Sequence, residues 1–113
     1  LACEESVASQ LHRDLLFTDD AKYTALTRAF SGRLARGIRN RFVDDAQASG
    51  VAPLPYPIQN WFTSSFKPTA TAQGRSDMIS LWAGQGAPLL RHRRAADLFA
   101  DLVRGTDTLL GTS

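Results

Sequence analysis

Thr27-Arg28-Ala29-Phe30-Ser31-Gly32-Arg33-Leu34-Ala35-Arg36-Gly37-Ile38-Arg39-Asn40 reads as a short ribbon that carries its own turn. Leading into it, Tyr23, Ala25, Thr27 and Ala29 fall on one face and Leu26 and Phe30 on the other, the alternation of a strand over 23–30. Ser31-Gly32 supplies the turn, since glycine reaches positive φ without a Cβ clash. Residues 33–38 return as a second short strand. Five arginines lie between Arg28 and Arg41, which raises the possibility of an anion or nucleic-acid surface. No aromatic side chains alternate with them as stacking platforms would require, so they are read as solvated partners of Asp44, Asp45 and neighbouring acids.

On either side of the ribbon the pattern turns helical. Upstream, Leu1-Ala2-Cys3 reads as the apolar end of a strand begun earlier, and the start at Leu1 rather than Met as a cut from something longer. A helix is expected over 4–17, with Ser6 or Ser9 as N-cap and Val7, Leu11, Leu15 and Leu16 at helical spacing. Downstream, 40–49 is expected as a helix with Phe42, Val43 and Ala46 inward, stopped by Gly50. Three prolines hold 51–57 extended. Ile58, Trp61, Phe62, Ser65 and Phe66 repeat on one helix face, and Pro68 should kink or end that helix. Gly74 marks a turn, 77–82 is expected as a short helix packing through Met78, Leu81 and Trp82, and Gly84-Gln85-Gly86 breaks it. A last helix over 94–104 should bury Ala95, Leu98, Phe99, Leu102 and Val103, with a tail from 105. The expected class is mainly α with a short β ribbon, α+β. Its apolar helix faces outnumber what one ribbon can cover, which suits the outer layer of a larger α/β protein.

Composition bounds the chemistry. At 113 residues, 43% hydrophobic and 21% charged, the chain is an ordinary soluble composition with at most one small domain. No run approaches the roughly 18 apolar residues of a membrane span. Cys3 is the only cysteine, which excludes an internal disulfide or a cysteine-rich zinc site and fits a reducing, cytoplasmic setting. His12 and His92 are the only histidines, and both read as helix-surface residues without an orienting carboxylate rather than as base or metal ligand. Asp19-Asp20 and Asp44-Asp45 are adjacent in sequence, point apart on a helix and read as solvated charge. No glycine-rich phosphate loop is present. Gly84-Gln85-Gly86 stands apart, because a glutamine amide both donates and accepts, and flanking glycines admit a flat ligand. As a bare tripeptide it reads first as a plain helix-terminating turn, and Ser31-Gly32 likewise reads first as an ordinary turn. Tyr56 with Gln59 likewise reads as packing plus a cap.

Four strings in order, Leu26-Thr27-Arg28-Ala29-Phe30-Ser31-Gly32-Arg33, Ala35-Arg36-Gly37-Ile38-Arg39-Asn40, Pro55-Tyr56-Pro57-Ile58-Gln59-Asn60 and Trp82-Ala83-Gly84-Gln85, resemble the C-terminal third of the nitronate monooxygenases, or 2-nitropropane dioxygenases. The resemblance implies a flavoenzyme with a (β/α)₈ TIM barrel, a fold of about 250 residues that this chain cannot contain. It implies FMN, a small nitronate substrate and O₂, with the rest of the chain's own barrel as partner and neither nucleic acid nor membrane. Residues 1–50 would be the end of the last barrel strand plus a small substrate-covering lobe, and 51–113 the C-terminal helices packing on the barrel. Ser31, Gly32, Tyr56, Gly84, Gln85 and Gly86 would lie beside cofactor or substrate. The phosphate loops and the proton-abstracting histidine would precede Leu1, leaving no catalytic residue and no metal ligand in this stretch. Leu34 stands where relatives usually have proline, and Pro68 interrupts a helix expected to be continuous. An FMN-dependent enoyl-acyl-carrier reductase fragment is the alternative enzyme, and a helical interaction module docking through the face from Trp61 to Phe66 is the non-enzymatic one.

Overall fold

The ribbon forms as its alternation implies. In the computed structural model, which describes residues 1–111, β1 (Thr24–Thr27) and β2 (Ala35–Ile38) pair antiparallel, with Thr24 opposite Ile38 and Thr27 opposite Ala35. Gly32 turns the chain at φ +91°, and Arg33 N donates to Ser31 Oγ at 3.2 Å. A two-stranded ribbon alone is marginal in water. Here β2 gains a second neighbour: Trp82 bridges antiparallel to Gly37, Ile38 N donates to Leu81 O at 2.8 Å, and Ala83 N to Arg36 O at 3.1 Å. The helix expected over 77–82 is therefore absent. One 3₁₀ turn, Ser76–Met78, gives way to extended chain whose Ile79, Leu81 and Ala83 are all buried, a period of two rather than 3.6.

The first helix is shorter than expected. α1 spans Gln10–Leu15, and Ser9 is the cap, its Oγ accepting from His12 N at 3.2 Å. Before it, Arg13 Nη1 donates to the carbonyls of Glu4 (3.2 Å) and Ser6 (2.9 Å), satisfying groups that a longer helix would have paired. Leu1–Cys3 has no ladder partner among the described residues, both named strands lying elsewhere. Asn40 caps α2 (Arg41–Ala48) with its Oδ1, while its Nδ2 donates to Ser76 O and Ile79 O at 3.1 and 2.8 Å. The chain then breaks between α3 (Ile58–Ser64) and α4 (Lys67–Ala72), with Pro68 in the first turn of α4 where its missing N–H costs nothing. α5 runs Ala95–Leu110 through Gly105, so the tail expected from 105 is helical as far as Leu110.

Ala2, Leu16, Ala21, Ile38, Ala70, Ile79, Leu81, Ala83 and Ala87 form the core. Beside it Phe30, 2% exposed, lies 4.8 Å from Phe42 and 5.9 Å edge-on from Trp82. Ala95, Leu98, Phe99, Leu102 and Val103, expected inward, are not buried among the described residues, and the apolar stripe on α3 faces outward. α3 buries Gln59 and Thr63 and exposes Ile58, Trp61 and Phe62, and α5 buries no residue at all. The architecture is mainly helical with a small two-stranded antiparallel sheet, elongated to 56 × 26 × 25 Å.

Candidate functional site

Two loci emerge from the six expected residues. At the first, the ribbon turn docks on the proline segment. A Cβ on Gly32 would stand 2.6 Å from both Leu54 O and Tyr56 N, so the two backbones meet only because residue 32 has no side chain. Gln59 stitches the same contact: its Oε1 accepts from Leu54 N at 3.0 Å and its Nε2 donates to Ala29 O at 2.6 Å. One turn along α3, Thr63 Oγ1 donates to Phe30 O at 2.6 Å. Gln59 is thus a tether across the lobe rather than a cap. These two bonds explain why the polar side of α3 faces inward: each buried polar atom ends on a backbone group that would otherwise lack a partner.

Tyr56 sits at the edge of this contact, 48% exposed, with the Arg33 guanidinium 4.1 Å over its ring. Among the described residues its hydroxyl has no hydrogen-bond partner. Ser31 is occupied locally, its hydroxyl turned to the backbone of Arg33. A groove of about 320 Å³ opens nearby between the ribbon and α2, walled by Leu26, Leu34, Val43 and Pro53.

The second locus is Gly84-Gln85-Gly86, an exposed turn between the extended segment at 81–83 and a 3₁₀ turn, Ala87–Leu89. It continues extended chain and does not end a helix. A Cβ on Gly84 or Gly86 would meet nothing within 4 Å, so protein packing does not demand glycine at either position. Ala2, Leu16, Ala83, Gly84, Gly86 and Leu90 line a cavity of about 270 Å³ beside the turn, with no charged side chain in its wall. The Gln85 amide is unpaired among the described residues. Apolar walls, with a free amide between two of the lining residues, suit one edge of a planar ring, and walls without a charged side chain do not suit a phosphate. The cavities at the two loci have no lining residue in common; β2 joins them, with Gly32 preceding one end and residues 81–83 along its edge.

Both histidines differ from their expected surface role. His12 is only 8% exposed, and its Nε2 lies 2.9 Å from Trp82 O. Its sequence signal was the shared face with Leu16, four residues on and itself buried. His92 does meet a carboxylate: Asp101 lies 2.9 Å from its Nε2, with Arg91 and Arg104 on the same acid. The hydrogen bond from His92, then the surrounding positive charges, hold the Asp101 carboxyl below its usual range. The Lys67 amine, 5.9 Å over the Phe30 ring, is pushed down by desolvation. None of these four side chains lines the cavity at either locus, and the described residues contain no cluster able to hold a metal ion. No helix among them is long and apolar enough to cross a membrane.

The family model described as nitronate monooxygenase matches residues 1–105. The chain belongs to the nitronate monooxygenase family. A nitronate monooxygenase of Pseudomonas aeruginosa is 46% identical over 102 residues, covering 89% of this chain and 29% of that protein. A probable nitronate monooxygenase of Staphylococcus aureus is 36% identical over 111 residues, covering 97% of this chain and 31% of that protein. Among solved structures, a nitroalkane oxidase from Streptomyces ansochromogenes superposes with a TM-score of 0.83 at 36% identity, over 92% of this chain and 30% of that one. The chain therefore spans about a third or less of the nitronate monooxygenases it matches. These names favour the nitronate reading over the enoyl-reductase alternative.

Proposed function

We propose that the protein carrying this chain is an FMN-dependent nitronate monooxygenase that oxidises alkyl nitronates with O₂. The observation that supports it most is an unpaired Gln85 amide between two glycines that line an apolar cavity, in a chain of this family. FMN, when bound, supplies the electron acceptor and the chemistry with O₂. Gln85 would hydrogen-bond one ring edge while Gly84 and Gly86 let the backbone approach it. The free Tyr56 hydroxyl would donate to an anionic nitronate oxygen, and Ser31-Gly32 would hold the covering lobe against the proline segment that carries Tyr56. Residues 1–50 would form the end of the last barrel strand and that lobe, and 51–113 would pack on a TIM barrel. The phosphate-binding loops and the proton-abstracting group belong to the part that precedes Leu1 in this reading, so the isolated 113-residue chain is inactive. The setting is cytoplasmic, and the small substrate and O₂ are the partners.

The test uses full-length protein. A bound flavin identified as FMN and O₂ uptake with an alkyl nitronate, without reduction of an enoyl thioester, is the expected result. Turnover of the enoyl thioester with inert nitronates would overturn the reading in favour of the reductase. Protein that binds no flavin and oxidises nothing would leave an interaction module.

A further inference from the structure

Immediately before the Gly84-Gln85-Gly86 turn, three consecutive residues are held from two sides. Leu81 O and Ala83 N bond to the backbone of β2 at 2.8 and 3.1 Å. Trp82 points its carbonyl the other way, to His12 Nε2 at 2.9 Å. On the far side of the turn, Ala87 N donates to Gly84 O at 3.1 Å and Ala87 is buried. The turn itself makes no side-chain bond, so the placement of Gln85 is inherited from these flanks. A carbonyl oxygen only accepts, so Nε2 must carry the proton. Buried and bonded, His12 is spent on this single contact between α1 and the segment at 81–83.

We infer that His12 is a positioning residue, whose Nε2–H fixes the Trp82 carbonyl and thereby the flank from which Gln85 is presented. The inference rests on the proposed role of Gln85 at the flavin. Its structural half can be tested without flavin. In flavin-free full-length protein, His12→Leu should speed amide hydrogen exchange at residues 82–87 by about tenfold. Exchange in α2 should be unchanged, and His12→Gln, which keeps an N–H donor, should restore much of the protection. With flavin bound, His12→Leu should shift the flavin absorbance bands and raise KM for the nitronate more than it lowers kcat. In the unsubstituted protein, nitrogen NMR should find the proton on Nε2 of His12. That readout needs no variant and decides even if His12→Leu does not fold.

Unchanged exchange at 82–87, equal loss across α2, or a proton on Nδ1 alone would overturn the inference. Failure of the unsubstituted protein to bind flavin would instead sink the proposed function. The exchange and NMR results would then still decide whether His12 positions the turn.

Discussion

Gly32 and Thr63 carry more of the lobe than their size indicates. Replacing Gly32 by alanine puts a Cβ 2.6 Å from two backbone atoms at a φ of +91°, combining a left-handed penalty with a clash that no side-chain rotation relieves. Gly32→Ala should cost about 3 kcal/mol, read as a lower denaturant midpoint of the full-length protein at unchanged slope. Thr63→Val keeps the shape but leaves the Phe30 carbonyl without its 2.6 Å donor in a fully buried position. The expected loss is about 1–3 kcal/mol, and Thr63→Ser should recover most of it. A larger loss for Ser than for Val would show that the methyl group, not the hydroxyl, matters. The first of these positions was legible in the sequence, because a Ser-Gly between two alternating segments is a turn with a mechanism. The second was not, because nothing local tells a threonine that its partner is a carbonyl 33 residues away.

Among the elements, α5 shows how an exposed helix is held by its first turns. Ala95 N donates to the Glu5 carboxylate at 3.1 Å, Arg93 pairs with Asp14 at 3.0 Å, and His92, Arg91 and Arg104 gather on Asp101. The Glu5, Asp14 and Asp101 carboxyls are all held below their usual range, by the Ala95 N–H, by Arg93 and by His92 respectively. A depressed folded-state pKa means stability that is present above the unfolded value and lost as pH falls through the folded one. Protection of α5 against hydrogen exchange should therefore hold from about pH 7 to 5 and fall only below about pH 4. Loss of protection near neutrality would count against these three carboxylates as its anchors. The effect should be small, since Glu5 and Asp14 are solvent-exposed and Asp101 is partly so. The element order and the break at Pro68 followed from local rules. The helix expected at 77–82 did not form, because the edge of β2 offered ladder partners about 45 residues upstream.

For the whole molecule, Ile58, Trp61 and Phe62 on α3 and Phe99, Leu102 and Val103 on α5 form apolar faces that this chain leaves uncovered. Trp61 and Phe62 are 67% and 61% exposed. Isolated 1–113 should bind a hydrophobic dye and self-associate, and Trp61→Glu should reduce both. In full-length protein the same substitution should instead cost about 2–3 kcal/mol, because burying a large side chain is worth that much. A monomeric fragment with a sharp, dye-free unfolding transition would favour the independent module. The amphipathic stripes, the caps, the turn at Gly32, the break at Pro68 and the strings that tie the chain to its family were all set by residues within a few positions of one another. Local sterics and short-range hydrogen bonds suffice for those. Which side of α3 faces inward, the strand-like course of 79–83 and the burial of His12 depended on surfaces brought together from distant parts of the chain. Burial and ladder pairing are properties of such meetings, and an apolar stripe specifies that it must be covered without specifying by what.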